Sequence, residues 1–169
     1  MSTSRRAILS LGSNLGDRAG TLAAALDDLL ALDGIRLVRV SGIVETAALK
    51  PDGVDAAAPA YLNQVAELVT TLEPEALLAA LNRIELGHGR VREERWGDRT
   101  LDIDIVTMGG LQLQTDALTL PHPRAAERAF VLVPWLELDA EARLPGIGAI
   151  AELPAAHESV SRYRAEADS

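Results

Sequence analysis

The chain contains no cysteine, which excludes disulfides, thiolate metal ligands and cysteine nucleophiles. Its first residues, MSTSRRAILSLGSN, lack an apolar stretch long enough for a signal peptide, and no run elsewhere approaches the roughly 18 apolar residues of a membrane span. We therefore expect a cytoplasmic protein that does not act at a membrane. Aromatic residues are also scarce, with two Trp, two Tyr and one Phe, so an aromatic side chain beside polar motif residues is informative.

Positive charge is scarce too, and almost all of it is arginine. The formal net charge is −9, and all but one of the 16 lysine and arginine residues are arginine. Proteins that bind nucleic acid normally present a basic face to the phosphates, so we expect no nucleic-acid partner. The length of 169 residues, nearly half of them hydrophobic, suits one domain with a substantial core. We predict a single, monomeric domain over residues 1–169, whose polar tail from about residue 157 is a candidate for disorder.

The hydrophobic pattern alternates between strand and helix signals along the chain. Residues 7–11 are a short apolar run typical of a buried strand, and Asp17 is placed to cap the helix that follows. Pro74 suits the first turn of a second helix, which has apolar residues at core spacing and stops at Gly87. The other predicted elements are strands over residues 35–44 and 61–71, a loop over 46–60, a strand around 101–106, a Gly109–Gly110 turn, a return strand over 111–114, a proline elbow over 120–123, a short helix over 124–128 and an apolar stretch over 130–133 that Pro134 breaks.

Two aspartates stand inside a strand-like segment, where Asp102 and Asp104 alternate with Leu101, Ile103 and Ile105. Successive side chains of a strand point to opposite faces, so the two carboxylates share one face while the apolar residues enter the core. Taken alone, such a pair is more often a solvated strand face, but aspartate is disfavoured in strands and its repetition here indicates a functional constraint. Paired carboxylates suit Mg²⁺, which typically takes one or two of them together with waters and phosphate oxygens. The pair therefore predicts a magnesium site.

Four arginines lie within residues 90–99, immediately before the aspartate pair. The guanidinium group is a planar fork that matches phosphate geometry and stays protonated, so this cluster predicts a polyphosphate site. The alternative is a charged surface loop that Glu93 and Glu94 partly neutralise. Glycines around the arginines favour a mobile loop able to close over a substrate. Together with the metal site, the arginines point to phosphoryl transfer.

Other residues give weaker signals. Tyr61, Trp96 and Phe130 lie beside polar motif residues, where they could stack on a flat heteroaromatic ligand, although such residues taken singly are more often core. His122 stands between two prolines and is either a structural hydrogen-bonding residue or a phosphate donor. Residues 12–14, Gly-Ser-Asn, lie between a strand and a helix, where backbone N–H groups often cradle phosphates. They match neither of the common glycine-rich nucleotide motifs, so they identify no nucleotide fold.

Four segments of the chain together resemble one family: LGSNLGDR, YLN, GRVREERWGDRTLDIDIV and LPHPRAAERAF. That family is the 6-hydroxymethyl-7,8-dihydropterin pyrophosphokinases of folate biosynthesis, and the similarity runs from about Ile8 to Pro134. The resemblance implies a ferredoxin-like α+β fold with a mostly antiparallel sheet flanked by helices. It also implies an ATP- and Mg²⁺-dependent diphosphokinase, which transfers pyrophosphate from ATP to the hydroxymethyl group of the pterin and releases AMP.

The same resemblance assigns roles to individual residues. Asp102 and Asp104 would hold two Mg²⁺ ions that bridge the ATP phosphates and orient the pterin hydroxyl. Arg90 and Arg92 would lie on a mobile catalytic loop and stabilise charge on the polyphosphate. The positions that match ATP contacts of the family are Asn82, Glu85, Trp96, Arg99, Ile105, Thr119, His122 and Arg128. Those that match pterin contacts are Thr46, Leu49, Tyr61, Asn63 and Phe130, with the pterin ring expected between Tyr61 and Phe130.

The chain departs from the family pattern at two places, and two rival hypotheses stay open. Thr46 is followed by Ala47 and Ala48 where many members carry Thr-Pro-Pro, and the arginine loop is slightly short, with Glu93 and Glu94 where some members place a basic residue. One rival is another Mg²⁺-dependent, nucleotide-using transferase with a different acceptor, which the alanine pair slightly favours. The other is a non-enzymatic nucleotide- or nucleic-acid-binding module built on the arginines, which the paired aspartates disfavour.

Overall fold

The structure is a computed structural model that describes residues 4–14, 17–46, 49–50, 53–54, 61–88 and 101–163, the side chains of residues 49, 50, 53 and 54 excepted. Within these ranges the strands are β1 (Arg5–Ser13), β2 (Ile35–Val40), β3 (Val44–Thr46), β4 (Leu49–Lys50), β5 (Gly53–Val54), β6 (Tyr61–Thr70), β7 (Asp102–Met108), β8 (Leu113–Gln114), β9 (Thr119–Leu120), β10 (Arg143–Leu144), β11 (Gly148–Ala149) and β12 (Ser161–Arg162). The α-helices are α1 (Arg18–Leu30), α2 (Pro74–Gly87) and α3 (Ala129–Leu138), and short 3₁₀ helices span Ala125–Glu127, Ile150–Glu152 and Pro154–His157.

A six-stranded antiparallel sheet is the frame of the molecule. β6 pairs with β1 on one side and with both β2 and β3 on the other. β7 pairs with β1 and forms one edge of the sheet, while β12 pairs with β3 at the opposite edge. Apolar residues of α1 and α2 pack in a cluster on one face of the sheet, and those of α3 pack in a second cluster on the other face. This arrangement confirms the predicted α+β class with an antiparallel sheet flanked by helices.

The first two helices follow their sequence signals. Asp17 caps α1, since its side chain accepts a hydrogen bond from Gly20 N–H at 3.1 Å. Pro74 occupies the first turn of α2, where its missing N–H costs nothing, and Leu77 and Leu81 one turn apart are fully buried. No helix in the described ranges combines the length and the apolar character needed to cross a bilayer.

The predicted strand over residues 35–44 is wrong in extent, because the structure divides it into β2 and β3. Between the two strands, the Ser41 hydroxyl accepts a hydrogen bond from Val65 N–H at 2.9 Å, and Ser41 N–H donates to Val65 O at 2.8 Å. Gln64 Nε2 also donates to Ser41 O at 2.7 Å. Side chains that bond to neighbouring backbone groups compete with regular ladder bonds. The hydroxyl thus interrupts the strand at a position where the hydrophobic pattern continues.

Two later segments also differ from the prediction. The return strand is shorter than predicted, and β8 pairs with β9 instead of β7. The apolar stretch does not end at Pro134, because α3 continues through this proline to Leu138. Val131 and Trp135 are buried against the sheet, and this burial outweighs the backbone hydrogen bond that the proline cannot make. In the segment predicted as a polar tail, β12 joins the sheet, and residues 164–169 lie outside the described ranges.

Candidate active site

Several predicted site residues converge at the end of the sheet where β1, β6 and β7 lie side by side. Gly12 of β1 is opposite both Asn63 of β6 and Asp102 of β7. Residues directly opposite each other in neighbouring strands point to the same face, so Asn63 and Asp102 project from one surface on either side of Gly12. A Cβ atom added at Gly12 would lie 2.9 Å from Asn63 Oδ1, so the glycine leaves the space that the Asn63 amide occupies. Gly12 belongs to a strand, and not to a phosphate-binding loop, because β1 continues to Ser13.

β7 presents the aspartate pair to one face, as the alternation predicts. Asp102 and Asp104 are partly exposed, whereas Leu101, Ile103 and Ile105 are buried in the core cluster beneath α1 and α2. Alternate residues of a strand are about 6.6 Å apart at their Cα atoms, which allows two such carboxylates to serve one ligand complex. The prediction that the two carboxylates share one face is confirmed.

Asp104 is adjacent to two basic side chains that follow β9. Arg128 Nη1 lies 3.6 Å from Asp104 Oδ2, and His122 Nε2 lies 3.9 Å from the same oxygen. The Arg128 guanidinium carbon is also 5.5 Å from the centroid of the Phe130 ring, within the range of a cation–π contact. Arg128 therefore connects the aspartate pair with the aromatic ring that the resemblance assigns to the pterin.

His122 is a neutral hydrogen-bond donor in this site. Its Nδ1 accepts a hydrogen bond from Arg124 N–H at 3.1 Å, which assigns the proton of the neutral ring to Nε2. Burial first, and then the charges of Arg128 and Arg124, lower the pKa of His122 from 6.5 to about 4, against an opposing effect of Asp102. The contact between His122 and Asp104 is therefore not an ion pair at neutral pH, and Nε2–H is available to donate to an anion.

A cavity of about 260 Å³ opens beside β7 and brings four predicted residues together. Asp104, Ile105, Thr119 and His122 all line it, so one of the two metal-ligand candidates and three of the predicted ATP contacts meet at one opening. Among the residues that the structure describes, the rest of its wall consists of Leu78, Ile103, Thr115, Asp116, Ala117, Leu118 and Pro123.

The wall at residues 115–118 was missed by the sequence analysis. There the Thr115 hydroxyl accepts a hydrogen bond from Leu118 N–H and donates to Leu118 O, both at 3.0 Å. A threonine side chain that closes its own turn in this way is a known local signal, so the turn itself could have been found. Its position against β7 depends on the contacts of β9 with β7, which no local signal predicts.

The two predicted ATP contacts on α2 differ in their burial and in their surroundings. Asn82 is partly exposed and is not part of the cavity wall. Glu85 is only 2% exposed, and its Oε2 accepts a hydrogen bond from Ile103 N–H at 2.7 Å. The Glu85 carboxylate thus binds the β7 backbone at the residue between the two aspartates.

The predicted pterin contacts on β3 and β6 are separated from the aspartate pair by β1. Thr46 of β3 is opposite Tyr61 of β6, and Asn63 Nδ2 donates a hydrogen bond to Thr46 Oγ1 at 3.0 Å. Phe130 is half-buried in the first turn of α3, on the face of the sheet covered by that helix. Leu49 lies in β4. The remaining predicted site residues, Arg90, Arg92, Trp96 and Arg99, lie outside the described ranges.

The side chains of the site suit Mg²⁺ better than a metal ion that takes all of its ligands from the protein. Across the part of the chain that the structure describes, no group of three or more His, Asp or Glu side chains is arranged to hold a metal ion. Asp102 and Asp104 therefore supply two carboxylates, a set that suits a hard cation whose other ligands are waters and phosphate oxygens. A zinc site would need further nitrogen or oxygen ligands from the protein.

Comparison with known proteins gives the family. The model of the 7,8-dihydro-6-hydroxymethylpterin-pyrophosphokinase family matches residues 8–140. A relative from Pseudomonas aeruginosa, named 2-amino-4-hydroxy-6-hydroxymethyldihydropteridine pyrophosphokinase, is 43% identical over 152 residues, which cover 90% of this chain and 91% of the relative. The protein of the same name from Haemophilus influenzae is 41% identical over 147 residues, with 87% and 89% covered.

Solved structures support the fold independently. A Plasmodium falciparum HPPK-DHPS protein, crystallised as its A437G variant with STZ-DHP, superposes with a TM-score of 0.67 at 13% identity. The match covers 88% of this chain and 44% of that chain, so this chain spans less than half of the larger protein. At this identity the likeness concerns the fold alone, which is the ferredoxin-like α+β fold that the sequence resemblance implied. On the match to the family model and the identity to its members, the chain belongs to the 7,8-dihydro-6-hydroxymethylpterin-pyrophosphokinase family.

Proposed function

We propose that this chain transfers the pyrophosphoryl group of ATP to the hydroxymethyl group of 6-hydroxymethyl-7,8-dihydropterin, with Mg²⁺ held by Asp102 and Asp104. Pyrophosphoryl transfer to hydroxymethyldihydropterin, a step of folate biosynthesis, is the reaction of the family to which the chain belongs. One observation carries the finer assignment: the two aspartates face the same side of β7, with Asp104 at the cavity wall and next to Arg128 and His122.

Charge neutralisation is the main task of the site in this proposal. In phosphoryl transfer the protein contributes chiefly alignment and electrostatic stabilisation, so no side chain is assigned as an essential general base. Mg²⁺, as two ions by the family resemblance, would offset phosphate charge and polarise the transferred group. Asp102 and Asp104 would hold these ions. Their position in the first three residues of β7 would direct the phosphates toward the side of the sheet that is proposed for the pterin.

His122, Arg128 and two loop arginines would bind the polyphosphate. His122 would donate its Nε2–H to a phosphate oxygen as a neutral group, and Arg128 would supply a permanent positive charge. By the family resemblance, Arg90 and Arg92 would close over the phosphates, exclude water and so strengthen each electrostatic contact. Their contribution would grow as charge moves toward the departing AMP.

The remaining predicted residues would divide between the nucleotide and the pterin. The cavity beside β7 would take the adenosine part of ATP, with Ile105 and Thr119 in its wall. The hydrogen bond from Asn63 to Thr46 supports a pterin site on β3 and β6, because it holds the Asn63 amide in one orientation. The proposed nucleotide contacts are Asn82, Trp96, Arg99, Ile105, Thr119, His122 and Arg128, and the proposed pterin contacts are Thr46, Leu49, Tyr61, Asn63 and Phe130.

AMP formation tests the proposed reaction directly. The purified chain is incubated with ATP and Mg²⁺, with and without 6-hydroxymethyl-7,8-dihydropterin, and AMP is quantified together with the pterin diphosphate. We expect AMP and the pterin diphosphate in equal amounts, and neither without the pterin or with a chelator in place of Mg²⁺. ATP binding without pterin-dependent AMP would favour a transferase with another acceptor. Oligonucleotide binding without any AMP would favour a non-enzymatic module.

A further inference from the structure

We propose that Glu85 is a positioning residue for the aspartate pair, because it fixes the β7 backbone between Asp102 and Asp104 through a buried hydrogen bond to Ile103 N–H. This inference rests on the proposed function, which makes the two aspartates the metal ligands. It gives Glu85 a task other than the direct ATP contact that the family resemblance implies.

The Ile103 N–H group points away from β1, toward α2. Among the described strands, β7 pairs with β1 alone and forms an edge of the sheet. Backbone N–H groups alternate in direction along an antiparallel strand, so those of Asp102 and Asp104 face β1 when that of Ile103 faces away from it. Ile103 N–H meets Glu85 Oε2 at 2.7 Å. The carboxylate therefore takes the place that a further strand would occupy, at the one residue that separates the two aspartates.

Burial makes this hydrogen bond difficult to replace. Glu85 is 2% exposed and Ile103 is 4% exposed, so water cannot reach the pair freely. Leu81, one turn before Glu85 on α2, packs in the same apolar cluster as Ile103 and holds the helix against the strand. A carboxylate acceptor forms a short, strong hydrogen bond, and a buried N–H group without a partner is costly. The β7 backbone is thus held where α2 presents the carboxylate.

The position of Ile103 determines the direction of both neighbouring side chains. Asp102 and Asp104 are attached to the peptide units on either side of this residue, so a shift of the Ile103 peptide tilts both carboxylates. Groups that orient metal ligands without touching the metal typically change metal affinity or activity by about 10- to 100-fold when they are removed. We expect an effect in this range at Glu85.

Two substitutions at Glu85 separate its hydrogen bond from its charge. Glu85→Gln removes the charge but keeps a carbonyl oxygen at the same reach, whereas Glu85→Asp keeps the charge but shortens the side chain by one methylene. Glu75→Gln on the exposed face of α2 is the matched control. Hydrogen exchange at the Ile103 amide is measured by NMR on the metal-free proteins. Mn²⁺ affinity with a non-hydrolysable ATP analogue, kcat and the KM of the pterin are measured alongside.

We expect Glu85→Gln to keep the protection of the Ile103 amide, with Mn²⁺ affinity close to that of the wild type and of Glu75→Gln. Glu85→Asp should lose this protection and bind Mn²⁺ about 10- to 100-fold more weakly, with little change in the KM of the pterin. A Mn²⁺ affinity lost equally in both variants, with the Ile103 amide of Glu85→Gln still protected, would instead assign Glu85 a direct electrostatic role.

Three further results would also overturn the proposal. Normal Mn²⁺ affinity in a Glu85→Asp protein whose Ile103 amide exchanges freely would reject the positioning role alone. Absence of Mn²⁺ binding by the wild type would reject the metal site and the positioning role together. If Glu85→Asp is too unstable to purify, a tenfold loss of Mn²⁺ affinity in Glu85→Gln is sufficient to reject the positioning role.

Discussion

Asp104 is the residue at which the described charges of the site meet. Its carboxylate lies between the permanent cation of Arg128 and the neutral imidazole of His122, and it also borders the cavity beside β7. Arg128 has a second role, because the same charge that faces Asp104 also lowers the pKa of His122. A neutral hydrogen-bond donor, His122, and a cation, Arg128, thus lie near the same carboxylate, that of Asp104.

We predict that Arg128→Met raises the pKa of His122 in the metal-free protein from about 4 toward 6.5, because it removes a neighbouring cation. The shift should be incomplete, since burial is the main cause of the lowered pKa and stays in place. NMR titration of the His122 ring in the wild type and the variant measures it. A wild-type pKa near 6.5 would contradict the description of His122 as neutral, and the same pKa in both proteins would contradict the contribution of Arg128.

The same lowered pKa predicts how stability depends on pH. Between about pH 4 and 6.5 the His122 ring binds a proton in the unfolded chain but not in the folded chain. The free energy of unfolding should therefore fall as the pH decreases through this window. Chemical denaturation of the wild type and His122→Gln at several pH values isolates the effect, which should be smaller in the variant. Equal pH dependence in the two proteins would contradict it.

We predict that Thr46→Val weakens pterin binding roughly fivefold, the scale of one net hydrogen bond of about 1 kcal/mol. The substitution keeps the shape of the side chain but removes the oxygen that accepts from Asn63 Nδ2. Affinity for a non-hydrolysable ATP analogue should stay unchanged. Isothermal titration with the pterin measures the effect, and Thr71→Val at an exposed position serves as the control. A larger loss of nucleotide affinity than of pterin affinity would place Thr46 in the wrong half of the site.

At the scale of elements, the site depends on how closely β1 approaches its neighbours. Gly12 stands between Asn63 and Asp102 in register, and a side chain at this position would meet the Asn63 amide and the Tyr61 ring. β1 therefore separates the proposed pterin side from the proposed metal side by a single residue without a side chain. This spacing allows the two substrates to meet over one strand.

We predict that Gly12→Ala destabilises the fold by about 1–3 kcal/mol, as overpacking usually does, because the new Cβ would lie 2.9 Å from Asn63 Oδ1. The cost should be smaller in an Asn63→Ser background, where the group that meets the Cβ is removed. A double-mutant cycle on the free energy of unfolding measures this coupling. Additive effects of the two substitutions on the free energy of unfolding would show that the cost of Gly12→Ala does not arise from the contact with Asn63.

Elements with a strong local signal were predicted well from the sequence. α1 and α2 were predicted because the signals from Asp17, Pro74 and the leucine spacing each act within one helix. That Asp102 and Asp104 share one face follows from strand alternation alone. Elements that depend on distant partners were predicted less well. Ser41 interrupts a strand through bonds to residues 64 and 65, and α3 passes Pro134 because the sheet buries it.

The candidate site shows the same division between local and distant information. Motif residues around the aspartates were named from the sequence, but the burial of Glu85 against Ile103 required the packing of α2 on β7. Likewise, the turn at residues 115–118 reaches the cavity only through the contacts of β9 with β7. Contacts between elements far apart in the chain leave no periodic signal in either segment.

At the scale of the whole molecule, β2 is an edge strand of the sheet, since among the described strands it pairs with β6 alone. Arg36, Val38, Arg39 and Val40 are exposed there, and the pairing register with β6 shifts between Leu37 and Arg39. Charged side chains and register irregularities on an edge strand disfavour pairing with a second copy. Neither of the exposed valines lies in a long flat edge that would serve as a template.

We therefore predict that the chain is a monomer at micromolar concentrations. Sedimentation velocity should give a single species near the chain mass of 18.0 kDa, with or without substrates. AMP formation per molecule of protein should not change on dilution. A stable species of twice this mass, or activity that falls on dilution, would contradict the prediction.

The turnover of two aspartate variants tests the central claim most directly. Pterin-dependent AMP formation is measured for Asp102→Asn, Asp104→Asn and the control Asp27→Asn, which lies on the exposed face of α1. We predict a loss of roughly a hundredfold or more in the first two variants, with folding and pterin affinity retained, and near-normal turnover in the control. Near-normal turnover in Asp102→Asn and Asp104→Asn would contradict it.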